Sequence, residues 1–347
     1  MKALVLHAIG DLKYEDVQVP KAEKGEVLLK IRASGICGSD IQRVFEKGTY
    51  HFPTIPGHEF AGEIVAIGKD VSNDYIGKKA AVFPLLPCMK CDACQVGQYA
   101  QCQHYNYFGS RCDGGFAEYI SIPVWNLVIV PDEISFEEAA ICEPSAVAIH
   151  ALRQAGIDIG DQVAIFGAGP IGLMLGQWAK AWGADKVMLI DIDEYKIEFA
   201  KKQGFRYVCN SRSDEPLNWI KELTDGRGAD LCLEGAGVSQ TLDMAMFAAR
   251  TFGRVVCMGN PASDMRLSQK GYWEILRKQL TIKGTWNSSF SALYKNEWDL
   301  SIRAMQTGKL NVKPFVTHKV PLSEGVKTFK MMKDRNEFFN KVMFVME

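Results

Sequence analysis

From residue 163 to residue 283 the sequence alternates between short apolar runs and longer segments with a helical apolar repeat, such as 171–182 and 194–203. Strands that are apolar on both faces and are joined by helices predict a doubly wound parallel sheet covered on both sides. We therefore predict the α/β class, with a six-stranded parallel Rossmann sheet in this part of the chain. The predicted strands are 163–166, 186–190, 206–209, 229–233, 254–258 and 280–283.

The first of these strands ends in a glycine-rich turn, G-x-G-x-x-G, that opens a helix, and Asp191 stands at the end of the next strand. The hexapeptide alone is a weak signal, but this strand and helix context favours a dinucleotide site over a plain loop. Its glycines let the backbone approach a pyrophosphate, and Asp191 would accept from the adenosine ribose. A second carboxylate, Asp193, with no arginine between the two, favours NAD over NADP. The predicted cofactor-binding residues are Gly167, Gly169, Pro170, Ile171, Gly172, Asp191, Gly235, Gly259 and Gly284.

The first 130 residues are β-rich instead. Short strand-like runs at 28–33, 62–67 and 79–83 are separated by Gly, Pro, Asp and Asn. The run 114–120 alternates between apolar and polar residues, as a half-buried strand does. This pattern predicts a small barrel or a curled sheet.

The end of the chain is mixed again, with strands predicted at 312–318 and 341–346 and a helix between them. We expect this tail to return to the first domain, which makes that domain discontinuous. The predicted domains are a β-rich domain at 1–149 with 287–347 and a dinucleotide-binding domain at 150–286.

Four cysteines, Cys88, Cys91, Cys94 and Cys102, have the spacing C-x2-C-x2-C-x7-C. The first three thiols converge within one turn-rich loop, and the fourth returns to complete a tetrahedron. Four thiolates leave no open position, so we predict a structural zinc in a lobe at about 86–104. An iron–sulfur cluster uses similar spacing and is the alternative, whereas a redox dithiol would have too many partners.

A second metal site is predicted around His58, which lies in the pattern G-H-E-x2-G-x5-G-x2-V. Cys37 stands twenty-one residues upstream in the turn Cys-Gly-Ser-Asp. A thiolate and an imidazole brought together from two turns are zinc ligands, and a third protein ligand would leave the fourth position open for water or substrate. An open position of this kind indicates a catalytic metal.

Composition excludes several classes of partner. Lys and Arg number 40 against 41 Asp and Glu, and no basic stripe appears, so neither nucleic acid nor an anionic membrane is expected. No apolar run is long enough for a membrane span, and the first residues do not have the pattern of a signal peptide. Four of the ten cysteines have metal-site spacing and others lie in apolar runs, which fits a reducing cytoplasm.

Together these motifs resemble the zinc-dependent medium-chain alcohol and polyol dehydrogenases, and the resemblance covers essentially the whole chain. It implies a GroES-like catalytic domain, two zinc ions per chain, NAD, and a homodimer or homotetramer. It also implies that Cys37, His58 and a residue of the interdomain helix hold the catalytic zinc. Of Cys142 and Glu143 in that helix, the polyol branch favours Glu143. Glu59 would then be an exchangeable ligand or a partner of the bound water.

The resemblance also implies roles for residues beside the metal. Asp40 would orient His58, and Ser39 would relay a proton. Many relatives carry a histidine two residues after the aspartate of this turn, where this chain has Gln42. The route of the proton beyond Ser39 is therefore open.

Shorter stretches at 84–88, 108–116 and 284–287 are similar to the galactitol-1-phosphate 5-dehydrogenase branch of this family. That similarity implies oxidation of a secondary hydroxyl of a sugar alcohol phosphate, galactitol 1-phosphate, to the ketose phosphate, tagatose 6-phosphate. A phosphate needs cationic or amide donors. The candidate substrate-binding residues are Tyr50, Arg111, Trp286 and Asn287.

Three other functions stay open at this point. The first is a secondary-alcohol dehydrogenase of the sorbitol, butanediol or threonine type. The second is a dinucleotide-binding zinc protein without catalysis, and the third is a zinc-ribbon module that binds nucleic acid through the cysteine lobe. Two zinc ions per chain favour an enzyme, whereas one ion confined to the lobe favours the inactive protein.

Overall fold

The computed structural model describes residues 1–261, 263–291 and 295–347. The chain divides into two compact units. One unit comprises Met1–Ala146 together with Ser289–Glu347, and the other comprises Val147–Ser288. Among the described helices, none combines the length and the apolar character that crossing a membrane requires.

The unit Val147–Ser288 contains one six-stranded sheet in which every neighbouring pair is parallel. Its strands are β10 (Gln162–Phe166), β11 (Lys186–Asp191), β12 (Tyr207–Asn210), β13 (Ala229–Glu234), β14 (Ala249–Cys257) and β15 (Thr281–Gly284). The spatial order is β12-β11-β10-β13-β14-β15. The strand order reverses between β11 and β13, which flank β10, so the doubly wound Rossmann architecture is confirmed.

Helices connect these strands because each intervening segment carries one apolar face that the sheet buries. They are α5 (Pro170–Trp182), α6 (Glu194–Lys202), α7 (Pro216–Leu223), α8 (Ser239–Ala248) and α9 (Gln269–Lys278). Proline occupies the first turn of α5, where its missing N–H costs nothing, and Gly183 ends that helix with a φ of 98°. The central strand β10 is buried along its whole length.

One strand of this sheet is longer than predicted. The apolar pattern predicts a strand at 254–258, but β14 begins at Ala249. Its first half contains polar or exposed residues, and the register against β13 shifts between Ala229 and Leu231. An irregularity of this kind interrupts the apolar run that makes a buried strand visible in a sequence.

The other unit is built on a seven-stranded sheet with the order β16-β17-β3-β4-β5-β9, and β8 pairs separately with β3. These strands are β3 (Glu26–Gly35), β4 (Glu59–Ile67), β5 (Lys79–Val82), β8 (Tyr119–Pro123), β9 (Leu127–Val130), β16 (Val316–Pro321) and β17 (Lys341–Val345). Two short pairs accompany the sheet: β1 (Lys2–Ala8) with β2 (Asp11–Asp16), and β6 (Leu85–Leu86) with β7 (Asn106–Tyr107). The antiparallel pairing of β17 with β3 joins the end of the chain to its beginning.

The remaining helices are α1 (Gly38–Gln42), α2 (Asp92–Gln95), α3 (Phe136–Ala140), α4 (Cys142–Ala155), α10 (Glu297–Gln306) and α11 (Gly325–Asp334). The predicted strand 312–318 begins only at Val316. The residues before it, Lys313–Phe315, form a 3-10 helix with a proline in its first turn.

The predicted strand at 114–120 is wrong over residues 114–118, because the regular strand starts at Tyr119. The segment before it packs irregularly against the turn that precedes His58: the N–H groups of Gly114 and Gly115 donate to the carbonyl oxygens of Ile55 and Gly57. A Cβ on Gly114 would lie 2.0 Å from the carbonyl oxygen of Gly57. Gly114 and Gly115 therefore form a close backbone contact with this turn and do not belong to a regular strand.

Replacing Gly114 by Ala is expected to lower the free energy of unfolding by about 1–3 kcal/mol, since a backbone oxygen cannot move away from the added methyl group. Thermal unfolding followed by circular dichroism measures the effect. Gly284→Ala is the matched control, because no atom lies within 4 Å of the added Cβ there. Equal unfolding midpoints for the two variants would contradict the close contact.

Candidate functional site

Cys37, His58 and Glu59 are brought together by the paired ends of two strands. Cys37 follows β3, Glu59 is the first residue of β4, and Gly35 of β3 lies opposite Glu59 in the antiparallel register. One potential ligand atom from each of the three side chains lies within 4.8 Å of the other two. His58 and Glu59 are buried, whereas Cys37 is partly exposed.

Asp40 is fully buried beside this group and contacts both Cys37 and His58. Its Oδ2 accepts from the backbone N–H of Cys37 at 3.0 Å, and its Oδ1 lies 3.3 Å from Nδ1 of His58. The His58 contact meets the distance of an ion pair, but its angle is not that of a hydrogen bond. Because Nδ1 faces Asp40, Nε2 is the ring nitrogen left for another partner.

The charges around His58 and Asp40 favour their ionised forms in the metal-free protein. Burial lowers the pKa of His58, but the Asp40 carboxylate and the Cys37 side chain outweigh burial and raise that pKa well above its usual value. Burial raises the pKa of Asp40, and His58 and Arg43 together more than offset it, so the pKa of Asp40 is lowered. The negative charges around His58 therefore stabilise a positive charge at its imidazole ring.

Glu143 lies in the first turn of α4 and is also buried, but it stands outside the group of three. One of its oxygens accepts from the hydroxyl of Tyr107 at 3.3 Å. Burial raises the pKa of Glu143 to about 7, while His58 opposes the shift and Glu59 adds to it. The centre of the Tyr107 ring lies 5.7 Å from the centre of the His58 ring, so Tyr107 lies next to both Glu143 and His58.

Two cationic side chains that sequence reasoning missed complete the surroundings of the group. Arg43 donates to Asp40 at 2.8 Å and to the hydroxyl oxygen of Ser39 at 2.9 Å. Lys341, the first residue of β17, donates to both carboxylate oxygens of Glu59. Arg43 stands three residues after Asp40 and so had a local signal, whereas Lys341 is 282 residues from Glu59 and had none.

The buried charges of these side chains do not balance by themselves. With Cys37 as the thiolate that binds metals, the acidic groups are Cys37, Asp40, Glu59 and Glu143. When His58 is the neutral imidazole that binds metals, Arg43 and Lys341 are the cationic groups that oppose them among the described residues, which leaves an excess of two negative charges. In the metal-free protein a protonated His58 offsets one of these charges. A buried excess of charge is costly, and a divalent cation would remove this one. The residues present therefore fit a zinc ion.

The four cysteines of the predicted lobe also converge. Their sulfur atoms are 3.5 Å apart for Cys91 and Cys94, 3.8 Å for Cys91 and Cys102, and 4.0 Å for Cys88 and Cys94. A tetrahedron with zinc–sulfur bonds of about 2.3 Å has sulfur–sulfur edges of about 3.8 Å. The arrangement fits one tetrahedral ion, and all ten cysteines of the chain are free of disulfides.

Backbone N–H groups surround the sulfurs of this lobe. Those of Cys88 and His104 donate to the Cys102 sulfur at 3.3 and 3.4 Å. Those of Cys94 and Gln103 lower the pKa of Cys91 to about 6, because they stabilise the thiolate. Donors of this kind favour the anionic sulfurs that a metal needs.

Tyr50 and Arg111, two of the candidate substrate-binding residues, contact each other. The Arg111 guanidinium lies 4.2 Å from the ring centres of both Tyr50 and Tyr105. It donates to the Tyr50 hydroxyl and to the carbonyl oxygen of Tyr105, each at 3.1 Å. Tyr50 itself is 70% exposed, so Arg111 is a stacked cation beneath an accessible ring.

The other two candidates, Trp286 and Asn287, lie after β15 in the unit Val147–Ser288. The Trp286 side chain is 58% exposed. Asn287 has a φ of 60°, and its side-chain oxygen accepts from the N–H of Ser288. These two candidates are neighbours in the chain, and Tyr50 and Arg111 belong to the other unit.

The glycine-rich turn has the backbone that its sequence predicts. Gly167 has a φ of 115°, and a Cβ on Gly172 would lie 1.9 Å from the Gly167 carbonyl oxygen. Gly169 caps α5 with open space around it, and Pro170 and Ile171 form the first turn of that helix. The turn therefore leaves backbone N–H groups free of side chains at a helix N-terminus, where an anion binds.

Asp191 ends β11 beside this turn. Its Oδ2 accepts from the N–H of Ala168 at 2.8 Å, and its Oδ1 accepts from the N–H of Asp193 at 3.0 Å. Lys196 lies 3.4 Å from Oδ2 and was missed by sequence reasoning, although it stands one helical turn into α6. The carboxylate is thus held at the carboxyl end of the sheet, where dinucleotides bind.

The remaining cofactor candidates lie at the ends of neighbouring strands. Gly235 follows β13, with its N–H donating to Phe166, and Gly259 follows β14, with its N–H donating to the carbonyl oxygen of Glu234. The Glu234 carboxylate accepts from the N–H groups of Ala236 and Gly237, so it organises this loop. The third candidate, Gly284, ends β15 in open space.

Two family models match the chain in the same two regions. The alcohol dehydrogenase GroES-like domain matches residues 23–132, and the zinc-binding dehydrogenase domain matches residues 170–306.

Curated relatives extend the match over most of the chain. Galactitol 1-phosphate 5-dehydrogenase of Escherichia coli (strain K12) is 37% identical over 92% of this chain and 92% of its own. Sorbitol dehydrogenase of Bacillus subtilis (strain 168) is 34% identical over 100% of this chain and 96% of its own. Two different polyol substrates are therefore named among similar proteins.

Solved structures share the fold along the whole chain. The crystal structure of Escherichia coli galactitol-1-phosphate dehydrogenase has a TM-score of 0.93 and 35% identity, with 100% of both chains covered. An alcohol dehydrogenase of Escherichia coli CFT073 complexed with NADH has a TM-score of 0.91, 26% identity and coverage of 100% and 99%. A zinc-binding dehydrogenase of Sinorhizobium meliloti 1021 bound to NADP has the same score and identity, with coverage of 99% and 99%.

Along the chain a GroES-like region is followed by a zinc-binding dehydrogenase region with a Rossmann sheet. The similarity to curated sorbitol dehydrogenase covers the whole chain. Its two sets of converging ligand atoms fit zinc, and its relatives bind nicotinamide dinucleotides. The protein belongs to the zinc-dependent medium-chain alcohol and polyol dehydrogenases, which are oxidoreductases.

Proposed function

We propose that this protein oxidises a secondary hydroxyl of a sugar alcohol phosphate to the ketose phosphate, with NAD as the hydride acceptor. The observation that carries the proposal is the group of Cys37, His58 and Glu59, which lies among side chains with an excess of two negative charges when His58 is neutral. The similarity to galactitol 1-phosphate 5-dehydrogenase supports galactitol 1-phosphate as the substrate and tagatose 6-phosphate as the product.

In this proposal Cys37, His58 and a carboxylate, Glu143 or Glu59, hold the catalytic zinc, and the four cysteines of the lobe hold a structural one. When bound, the catalytic zinc supplies a Lewis acid that lowers the pKa of the substrate hydroxyl. Asp40 orients the His58 ring through its Nδ1 side. Three protein ligands would leave one coordination position of zinc for the substrate hydroxyl.

Ser39 accepts the proton from that hydroxyl in the proposed reaction. Arg43 donates to the Ser39 oxygen at 2.9 Å and so fixes its position. Because a guanidinium stays protonated, Arg43 does not carry the proton further. Gln42 replaces the histidine of many relatives, so we propose that the proton leaves Ser39 through water or the bound cofactor.

The glycine-rich turn and Asp191 would hold the dinucleotide, with the pyrophosphate at the start of α5. Relatives bind NADH or NADP, so the family alone does not select between them. Asp191 and Asp193 would repel a 2′-phosphate, which supports NAD. Lys196 lies 3.4 Å from Asp191 and reduces that repulsion only in part, since a single ammonium cannot neutralise two carboxylates.

Arg111 is the proposed phosphate-binding residue, and the exposed Tyr50 ring stacks on its guanidinium. Trp286 and Asn287 are the further proposed substrate contacts. Its guanidinium already lies between two tyrosine rings, so it loses little side-chain entropy on binding a phosphate. The second candidate function is oxidation of an unphosphorylated polyol. The full-length similarity to sorbitol dehydrogenase supports that alternative.

Cys37→Ser is expected to reduce NAD reduction by about three orders of magnitude or more, because it removes a ligand of the Lewis acid. The zinc content should fall from two ions per chain to one, with the cysteine lobe still loaded. Cys112→Ser is the control: Cys112 belongs to neither group of sulfurs, and burial raises its pKa to about 12. Retained turnover in Cys37→Ser would remove Cys37 from the mechanism.

Asp191→Asn is expected to lower kcat/KM for NAD by about tenfold, since hydrogen bonds to a charged group contribute about 1.5–3 kcal/mol. The ratio of activity with NADP to activity with NAD should rise, because one repelling charge is lost. The asparagine keeps one oxygen for the Ala168 N–H, but its amide nitrogen cannot accept from the Asp193 N–H, so the unfolding midpoint of the variant is measured beside its kinetics. Initial rates at equal concentrations of the two dinucleotides measure the ratio. A wild-type preference for NADP would contradict the role of Asp191.

Arg111→Met is expected to lower kcat/KM for a sugar alcohol phosphate by about 10- to 100-fold, the loss of a charged hydrogen bond. Oxidation of the unphosphorylated polyol should change little. The matched control is Arg206→Met, another arginine over a tyrosine ring, in the unit that carries the dinucleotide turn. Equal losses for the two substrates, or a wild-type preference for free polyols, would contradict phosphate recognition by Arg111.

A further inference from the structure

Lys341 is a buried lysine at the metal-binding group. Its side chain is 4% exposed, and its ammonium lies 2.6 and 2.9 Å from the two carboxylate oxygens of Glu59. The third contact is to the carbonyl oxygen of Ile36 at 3.3 Å. The three acceptors match the three N–H donors of the ammonium.

Strand pairing holds Glu59 in this position. In the register of the sheet Met343 of β17 lies opposite Gly35, and Gly35 lies opposite Glu59. A Cβ on Gly35 would be 2.4 Å from Oε2 of Glu59, so only glycine leaves room for the carboxylate there. The carboxylate is thus confined between the β3 backbone and the Lys341 ammonium.

Glu59 and Glu143 differ in what already binds them. Glu59 is within reach of the metal ligands Cys37 and His58, but both of its oxygens accept from a full positive charge. Glu143 lies outside that group and accepts one longer bond, at 3.3 Å, from the neutral Tyr107 hydroxyl. The nearer carboxylate is therefore the more restrained one.

We propose that Lys341 is a positioning residue that limits how strongly Glu59 binds the catalytic metal. The proposal rests on the proposed zinc site at Cys37 and His58. The ammonium withdraws charge from both Glu59 oxygens and repels a divalent cation near them. Glu59 is then an exchangeable ligand, which can leave the metal to Glu143 and the substrate without becoming a buried charge with no partner.

The test compares zinc-loaded wild type with Lys341→Met, which keeps the length of the side chain and removes the charge. The rate at which the second zinc is lost to a chromogenic chelator is the first readout. The visible spectrum of the protein with Co²⁺ in the catalytic site is the second, since it reports the ligands directly. We expect Lys341→Met to release the metal at least tenfold more slowly, with an altered Co²⁺ spectrum as Glu59 becomes a permanent ligand.

Two controls separate this role from a structural one. Lys341→Arg keeps the positive charge and should restore wild-type release and spectrum. Lys278→Met removes another lysine that makes three hydrogen bonds, to the carbonyl oxygens at the end of α8. It should lower stability without changing either readout. Zinc in the cysteine lobe should be released at the same rate in every variant.

An unchanged release rate together with an unchanged Co²⁺ spectrum in Lys341→Met would overturn the proposal. Should that variant fail to fold, Glu59→Gln and the double variant Glu59→Gln/Lys341→Met decide the question. Glu59→Gln leaves the ammonium without a negatively charged partner beside the metal, so it should lose zinc faster than the double variant, and equal rates would overturn the proposal. A wild-type protein that binds no zinc outside the lobe would instead contradict the proposed function.

Discussion

The structure around the metal-binding group depends on a buried imbalance of charge. Four acidic groups lie around His58, and the cationic side chains that oppose them among the described residues are Arg43 and Lys341. When His58 is a neutral metal ligand, this excess would be costly without a counter-ion, because unpaired buried charge costs several kcal/mol. A divalent cation removes the imbalance, and the same ion supplies the chemistry of the family. Binding of the metal and stability of the site are therefore one requirement.

Glycines position this group as much as the charged residues do. Gly35 leaves space for the Glu59 carboxylate, and Gly114 allows the backbone to approach the turn before His58. In the other unit Gly167 and Gly172 allow a strand to turn directly into a helix. Both units use close backbone contact to place a ligand site at the end of a strand, where N–H groups and short side chains are available.

Several elements could be predicted because their signals are local. The six parallel strands are apolar on both faces, and the spacing of the four cysteines matches one tetrahedron. The strand expected at 114–120 was wrong, since its alternation reflects contacts of Gly114 and Gly115 with a distant turn. The early start of β14 was missed because its first residues are exposed. An apolar pattern in a sequence indicates which residues are buried, but it does not indicate which distant segment covers them.

The fold class, the family, the cysteine lobe and the pairing of Cys37 with His58 could be predicted from residue spacing and motifs along the chain. The fold, and no local pattern, placed the Lys341 ammonium beside the candidate metal ligands. Lys341 reaches Glu59 across 282 residues because β17 pairs with β3, and β3 pairs with β4. Electrostatic contacts of this kind have no sequence period, since they depend on register between strands that are distant in the chain.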